Sequence, residues 1–271
     1  MAPFLFGGGS LAFIGEYCIY DGVSSEKFGF RIVNENGTME NTNGEEIAIQ
    51  KSTMMNGLKY AYMGTEPRDP CTISFMLMRE DPMDAAEIGA VMRWLAGRPG
   101  YKELRFVQPD ISTVKFNCIF TEVSAIQHGN ATYGVSVVGE CDSCFGEGNP
   151  IVATANSNKT GTIRIMNYGD YMDYVYPVVK ITMPSSGGDI TISNTTDNNR
   201  VFSFTGLSGS EVLTVDCLRK TIVSSAGMNR LGVFSKNWLP LLPGANSLAY
   251  SFSTAAGEIE IQCPLYRRIG V

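Results

Sequence analysis

The chain has 271 residues, with 44% apolar and 18% charged residues and a formal charge of −6. That length favours one large domain or two ordinary ones, and the apolar content is enough to bury a sizeable core. The acidic balance, with no run of Lys or Arg, excludes a protein that holds duplex DNA by phosphate neutralisation, and with it sequence-specific nucleic-acid binding, while leaving room for a channel that nucleic acid slides through.

The first stretch, "MAPFLFGGGSLAFIG", is apolar but has no positive n-region, and three glycines interrupt it. It does not read as a secretory signal and is too short to cross a bilayer, so no membrane insertion is expected. "FGGGSLAF" also lacks the Lys of a phosphate loop and the strand that precedes a dinucleotide site. Two readings stay open for this arm over residues 1–17: packing on its own domain, or reaching a neighbouring subunit through Phe4, Leu5, Phe6, Leu11, Phe13 and Ile14.

Strands follow at "EEIAIQK", "LKYAYMG" and "CTISFMLM". One helix is then predicted from Pro82 to Ala96, with Asp81 as N-cap, Pro82 at the first helical position and Asp84 three residues after the cap. Ile88, Val91, Met92 and Leu95 give it one apolar face, with Trp94 at the border of that face. Gly97 ends the helix and Pro99-Gly100 turns the chain. "KELRFVQ", "TVKFNCIFTEVSAI" and "TYGVSVVGE" continue as strands, so a sheet of about six strands covered by one helix accounts for residues 20–140.

"CDSCFGEGNPIVATANSNKTG" changes character: it is rich in Gly, Asn, Ser and Thr without periodicity, and the domain boundary is placed there, near residues 145–158. Short strands then recur: "TIRIMN", "YPVVKITM", "DITISN", "VFSFTG", "EVLTVDC", "KTIVSS", "SLAYSFS" and "EIEIQC". Strict alternation aligns Ile190 with Ile192, Phe202 with Phe204, Leu213 with Val215 and Cys217, Leu248 with Tyr250 and Phe252, and Ile259 with Ile261 and Cys263. Such spacing predicts an antiparallel β-sandwich, and the chain as a whole reads as all-β with one helix.

Chemistry is sparse. The seven cysteines are odd in number and scattered through apolar strand patterns, which reads as buried thiols in a reducing cytoplasm rather than a disulfide framework. Cys141 and Cys144 form one CxxC, but no second pair or suitable His completes a zinc site, and a βαβ redox context is missing. The single His128 sits in "AIQHGNATYG" and reads as a hairpin residue rather than a base. "NYGDYMDYVYP" holds four tyrosines and two aspartates, which could stack on sugar rings or simply enter a strand. No catalytic, cofactor or metal residue is assigned, and no enzyme is expected.

The motifs line up with a family. "YDGVSSEKFGFRI", "RPGYKELRFVQPD" after a Trp-bearing helix, "SVVGECDS", "NYGDYMDYVYPVVKI", "LTVDCLRKTI" and "WLPLLPGANSLAYSF" resemble, in order, segments of the distal tail proteins of long-tailed, mostly non-contractile bacteriophages. The resemblance covers residues 18–266 and rests on Asp21, Gly22, Trp94, Pro99, Gly100, Tyr101, Phe106, Asp110, Asn167, Gly169, Pro177, Asp216, Pro240, Pro243, Gly244 and Asn246. Many members lack the first 17 residues. The resemblance implies a ring-forming β domain over residues 18–147 and a galectin-like sandwich over 148–271. It also implies a homo-hexamer at the tail tip of the virion, assembled in the host cytoplasm. The ring would join the tail tube protein to the tail-associated hub or lysin protein, pass the tape measure protein and DNA, and in some phages dock receptor-binding proteins. A sugar-binding sandwich that recognises host cell-wall glycans is the competing reading; a likeness of fold alone does not decide it.

Overall fold

The structure is a computed structural model describing residues 16–33, 49–53, 59–65, 70–108, 111–156 and 158–268. The chain divides into one unit that runs to Gly146 and takes in Arg268, and a second spanning Glu147–Arg267.

Alternating segments of the first unit form strands β1 (Cys18–Tyr20), β2 (Val23–Ser24), β3 (Arg31–Val33), β4 (Ile49–Thr53), β5 (Tyr60–Thr65), β6 (Thr72–Met83), β7 (Lys102–Phe106), β8 (Phe116–His128) and β9 (Ala131–Cys141). Seven of them make one antiparallel sheet in the order β2-β1-β7-β8-β9-β6-β3, and β4 and β5 pair as a two-stranded sheet of their own. The far strand is drawn back to the start of the sheet: the Ile32 N–H donates to the Glu16 carbonyl at 3.3 Å, and Arg31 pairs with the Glu16 carboxylate at 3.3 Å. That contact curls the sheet toward closure and covers an edge that would otherwise be open to other chains. Inside lie Tyr20, Phe30, Leu77, Leu104, Phe106 and Phe116, all buried. Each contributes roughly 1.5–3 kcal/mol of apolar burial.

The helix α1 spans Ala85–Leu95, shorter at its start than the sequence suggests. Asp81 and Pro82 belong to β6 instead. The ladder to β9 is interrupted there, with Met78 opposite Gly134 and Met83 opposite Thr132. Proline tolerates such a bulge because it has no N–H to offer a ladder. The Arg79 guanidinium takes up the carbonyls freed in the bulge, those of Asp81 at 2.7 Å and Pro82 at 3.1 Å. The true cap is Asp84: its carboxylate accepts from the Glu87 N–H at 2.8 Å, and Glu87 accepts from the Asp84 N–H at 3.0 Å. This reciprocal pair satisfies two donors that a helix start leaves bare. Arg79 also grips Glu87 through both carboxylate oxygens, at 2.9 and 3.1 Å, tying the bulge to the helix. Val91, Trp94 and Leu95 are buried and Ile88 packs beside them, so Trp94 lies within the apolar face rather than at its border.

The second unit holds β10 (Phe145–Ala155), β11 (Thr160–Asn167), β12 (Val178–Thr182), β13 (Gly188–Asn194), β14 (Arg200–Leu207), β15 (Val212–Asp216), β16 (Thr221–Ser224), β17 (Gly244–Phe252) and β18 (Glu258–Arg268). They form a five-stranded sheet, β10-β18-β12-β15-β16, and a four-stranded sheet, β11-β17-β13-β14. The alternating residues of both sheets meet in one core, including Ile192, Phe204, Val215, Phe252 and Ile261. This is the sandwich that period-two patterning predicts. The stretch read as an aperiodic linker is largely strand β10, an edge strand of the larger sheet.

Candidate functional site

The groups that could do covalent chemistry stand apart. His128 closes β8 opposite Ala131, across a two-residue turn whose first position is Gly129 at φ 62°, and it is exposed. Cys141 is buried in β9 opposite Cys118 of β8, and its N–H donates to the Cys71 carbonyl at 2.9 Å. A hydrogen bond to Cys118 and burial push the Cys141 thiol up to about 12, so it is protonated near neutrality. Cys144 is half-buried, and all seven cysteines are free thiols. Among the described residues no cluster of three or more His, Cys, Asp or Glu side chains could hold a metal ion.

The motif residues converge at two places instead. In the first unit, Asp21 (φ 49°) and Gly22 (φ 75°) form the turn between β1 and β2. Asp-Gly is the pair that a two-residue hairpin with both φ angles positive prefers. The Trp94 indole N–H donates to the Tyr20 carbonyl at 3.0 Å, and Phe28 stacks on its ring at 5.1 Å. Arg98, just past the helix, pairs with the Asp21 carboxylate at 3.3 Å, and the Asp21 N–H donates to the Glu103 carbonyl at 3.0 Å. Gly100 (φ 69°) then reverses the chain after Pro99 into Tyr101, which is exposed, and β7, which ends at the buried Phe106. The opening hairpin, the helix end and the Pro-Gly-Tyr turn are one assembled corner.

In the second unit the Pro-rich segment before β17 is latched by asparagines. Asn246 accepts from the Leu242 N–H at 2.9 Å and donates to the Leu242 carbonyl at 2.8 Å. Asn167, opposite Gly244 in the β11–β17 pairing, donates to the same carbonyl at 3.4 Å and accepts from the Gly169 N–H at 3.0 Å. Asn194, which sequence reasoning passed over, is fully buried and donates to the Pro240 carbonyl at 3.1 Å. Pro243 and Gly244, the latter at φ 82°, complete the turn. The Pro177 carbonyl accepts from the Cys217 N–H at 3.1 Å, and Asp216 holds the β15–β16 turn by accepting from the Arg219 N–H at 2.8 Å. Buried amides in pairs like these satisfy backbone groups that a loop cannot satisfy for itself.

The four tyrosines of "NYGDYMDYVYP" do not form one platform. Tyr168 is exposed, Tyr171 packs edge-on to Tyr266 at 6.0 Å, and Tyr174 donates to Asp197 at 3.0 Å with Arg200 over its ring at 5.4 Å. Tyr176 is half-buried. Asp110 and the arm residues Phe4, Leu5, Phe6, Leu11, Phe13 and Ile14 lie outside the described residues.

Among the described residues, the buried Asn167, Asn194 and Asn246 hold turns and strand ends. The sequence matches the phage tail protein N-terminal domain family over residues 13–143 and the phage tail C-terminal domain family over residues 145–263. The chain belongs to this phage tail protein family and is a structural part of a phage tail. No curated protein matches the sequence. Among solved structures it is similar to the Dit protein of phage SPP1, described as a paradigm of the hub adsorption apparatus in phages infecting Gram-positive hosts. The identity is 11%, the match covers 92% of this chain and 98% of that one, and the TM-score is 0.68. The fold is therefore the Dit fold, in agreement with the resemblance carried by the sequence motifs. The phage P2 baseplate in its activated conformation with Ca is similar at 9% identity over 90% of this chain and 97% of that one, with a TM-score of 0.44.

Proposed function

We infer that this tail protein forms a six-copy ring at the tail tip, which joins the tail tube to the hub proteins and leaves a central channel for the tape measure protein and DNA. The first unit makes the ring. The number six and the identity of the partners follow the resemblance to distal tail proteins. The observation that carries the ring is the β4–β5 sheet. Among the described residues it has two strands only, and Tyr60 and Met63 on it are 66% and 65% exposed. A two-stranded sheet is marginal in water by itself, and large exposed apolar side chains mark contact surfaces. A neighbouring copy supplies the missing cover, in a head-to-tail contact that closes on itself. Each such contact buries on the order of 1,200–2,000 Å². The net charge of −6 keeps the channel wall from trapping DNA.

The apolar arm serves as a second contact. Deleting Ala2–Gly15 is expected to weaken co-purification with co-expressed tube and hub proteins while the sandwich stays folded. Undiminished co-purification with both would refute that role.

A further inference from the structure

Within the second unit, a groove of about 450 Å³ is lined by Tyr176, Arg200, Lys220, Lys236, Asn237 and Trp238, along with Val201. Four separate stretches build it: the approach to β12, the first residue of β14, the β15–β16 turn and the loop before β17. We propose that this groove binds an anionic saccharide.

Charge is the first argument. The chain is acidic overall, yet three cations line this groove and no Asp or Glu among the described residues does. Arg200 is committed to Asp197 at 3.0 Å and to the Tyr174 ring. Lys220 and Lys236 are exposed and have no ion-pair partner among the described residues. Two unpaired ammonium groups beside one concavity raise the local concentration of anions.

Backbone conformation is the second argument. Lys220 and Lys236 sit at φ 56° and 63°, in the left-handed region. Elsewhere in this unit the non-glycine residues with positive φ are Asn198, Asn199 and Ser210. Asn fits that region because its short polar side chain bonds locally, whereas a lysine gains nothing from it. A strained conformation kept at two positions on one groove points to a use for the side chains that occupy them.

The aromatic rings supply the rest. Trp238 is half-buried and seated against Phe234 at 4.8 Å, so the ring is held before any ligand arrives. Tyr176 is half-buried on the same groove, and the Asn237 amide is exposed there. An aromatic face takes the C–H face of a sugar, an amide takes hydroxyls, and the lysines take the charge. The volume falls within the roughly 300–1,000 Å³ of small-ligand sites, which suits one or two saccharide units of a longer polymer. A phosphodiester-linked polymer and a uronate polymer offer the same chemistry.

The test is calorimetric titration of the full-length protein with a phosphomannan, an oligogalacturonate, a neutral chito-oligosaccharide and poly-glutamate. Saturable binding of one of the first two, weakened by added salt and absent with the neutral sugar, is expected; which of them binds identifies the source. The K220N/K236N variant should bind at least about tenfold more weakly, the loss of one charge-assisted contact or more. It should melt no lower than the parent, since Asn suits the left-handed backbone better than Lys. Failure of both anionic probes to bind would overturn the proposal. So would equal binding of the neutral sugar or of poly-glutamate, or a variant that is folded and undiminished in affinity.

Discussion

Glu211 and Arg230 form an ion pair that solvent does not reach: their side chains are 0% and 7% exposed. The Glu211 carboxylate accepts from the Arg230 Nε at 2.8 Å, from the Ser224 hydroxyl at 2.6 Å and from the Ser208 N–H at 2.9 Å. One carboxylate thus anchors the β14–β15 turn, the end of β16 and the loop beyond it. Removing one partner strands the other charge. Arg230→Ala is expected to destabilise the protein by about 3–5 kcal/mol, and replacing both residues by apolar ones of similar volume should restore most of that. Urea denaturation measures both. A loss below about 1 kcal/mol for the single variant would mean the pair is not buried in solution.

The same pair sets an acid limit. The Arg230 hydrogen bonds hold the Glu211 carboxyl down at about 2 from its ordinary 4.5, outweighing the opposing effect of burial. A depressed carboxyl stabilises the fold fully above its unfolded value, and that contribution fades as pH falls through the folded one. Stability should therefore decline between pH 4.5 and about 2 in the parent, and this part of the decline should vanish in Glu211→Gln. Identical acid profiles for the two proteins would contradict the assignment.

Trp94 holds the opening hairpin to the helix through one hydrogen bond, to the Tyr20 carbonyl. Trp94→Phe keeps a ring for Phe28 to stack on but removes this second donor, leaving the Tyr20 carbonyl to the hairpin partner Val23 alone. A loss of about 0.5–1.5 kcal/mol in chemical denaturation is expected. Trp238 remains as the fluorescent reporter. An unchanged midpoint would show that the bond contributes nothing.

The thiols should be inert in the folded protein. Cys18, Cys118, Cys141, Cys217 and Cys263 are buried, and burial pushes Cys18 and Cys217 up to about 12 and Cys263 to about 11. A thiol-reactive dye at pH 8 should label at most the half-buried Cys71 and Cys144 quickly, and all seven in denaturant. Rapid labelling of five or more in the native state would contradict this burial.

What the sequence shows and what it hides have physical reasons. A sandwich strand has one inward face, so Ile190 with Ile192 and Leu248 with Tyr250 and Phe252 announce their burial by alternation alone. Strand β10 does not, because it lies at a sheet edge, carries Pro150, and packs only Ile151, Ala153 and Ala155 against the core. The helix start is displaced from Asp81 to Asp84 because a neighbouring side chain, Arg79, takes the intervening carbonyls, an arrangement no local pattern records. Glu211, Arg230 and Asn194 carry no local signal of burial, since each is buried by partners distant in sequence. Trp94, Pro99 and Gly100 are visible as a motif, but the bond from Trp94 to Tyr20 and the pairing of Arg98 with Asp21 are facts of the fold.

The ring is tested most directly by negative-stain electron microscopy with native mass spectrometry of the purified full-length protein. The account predicts rings with six-fold symmetry, an open centre and a mass six times the 29.5 kDa chain. A species that stays monomeric at the highest attainable concentration would contradict it.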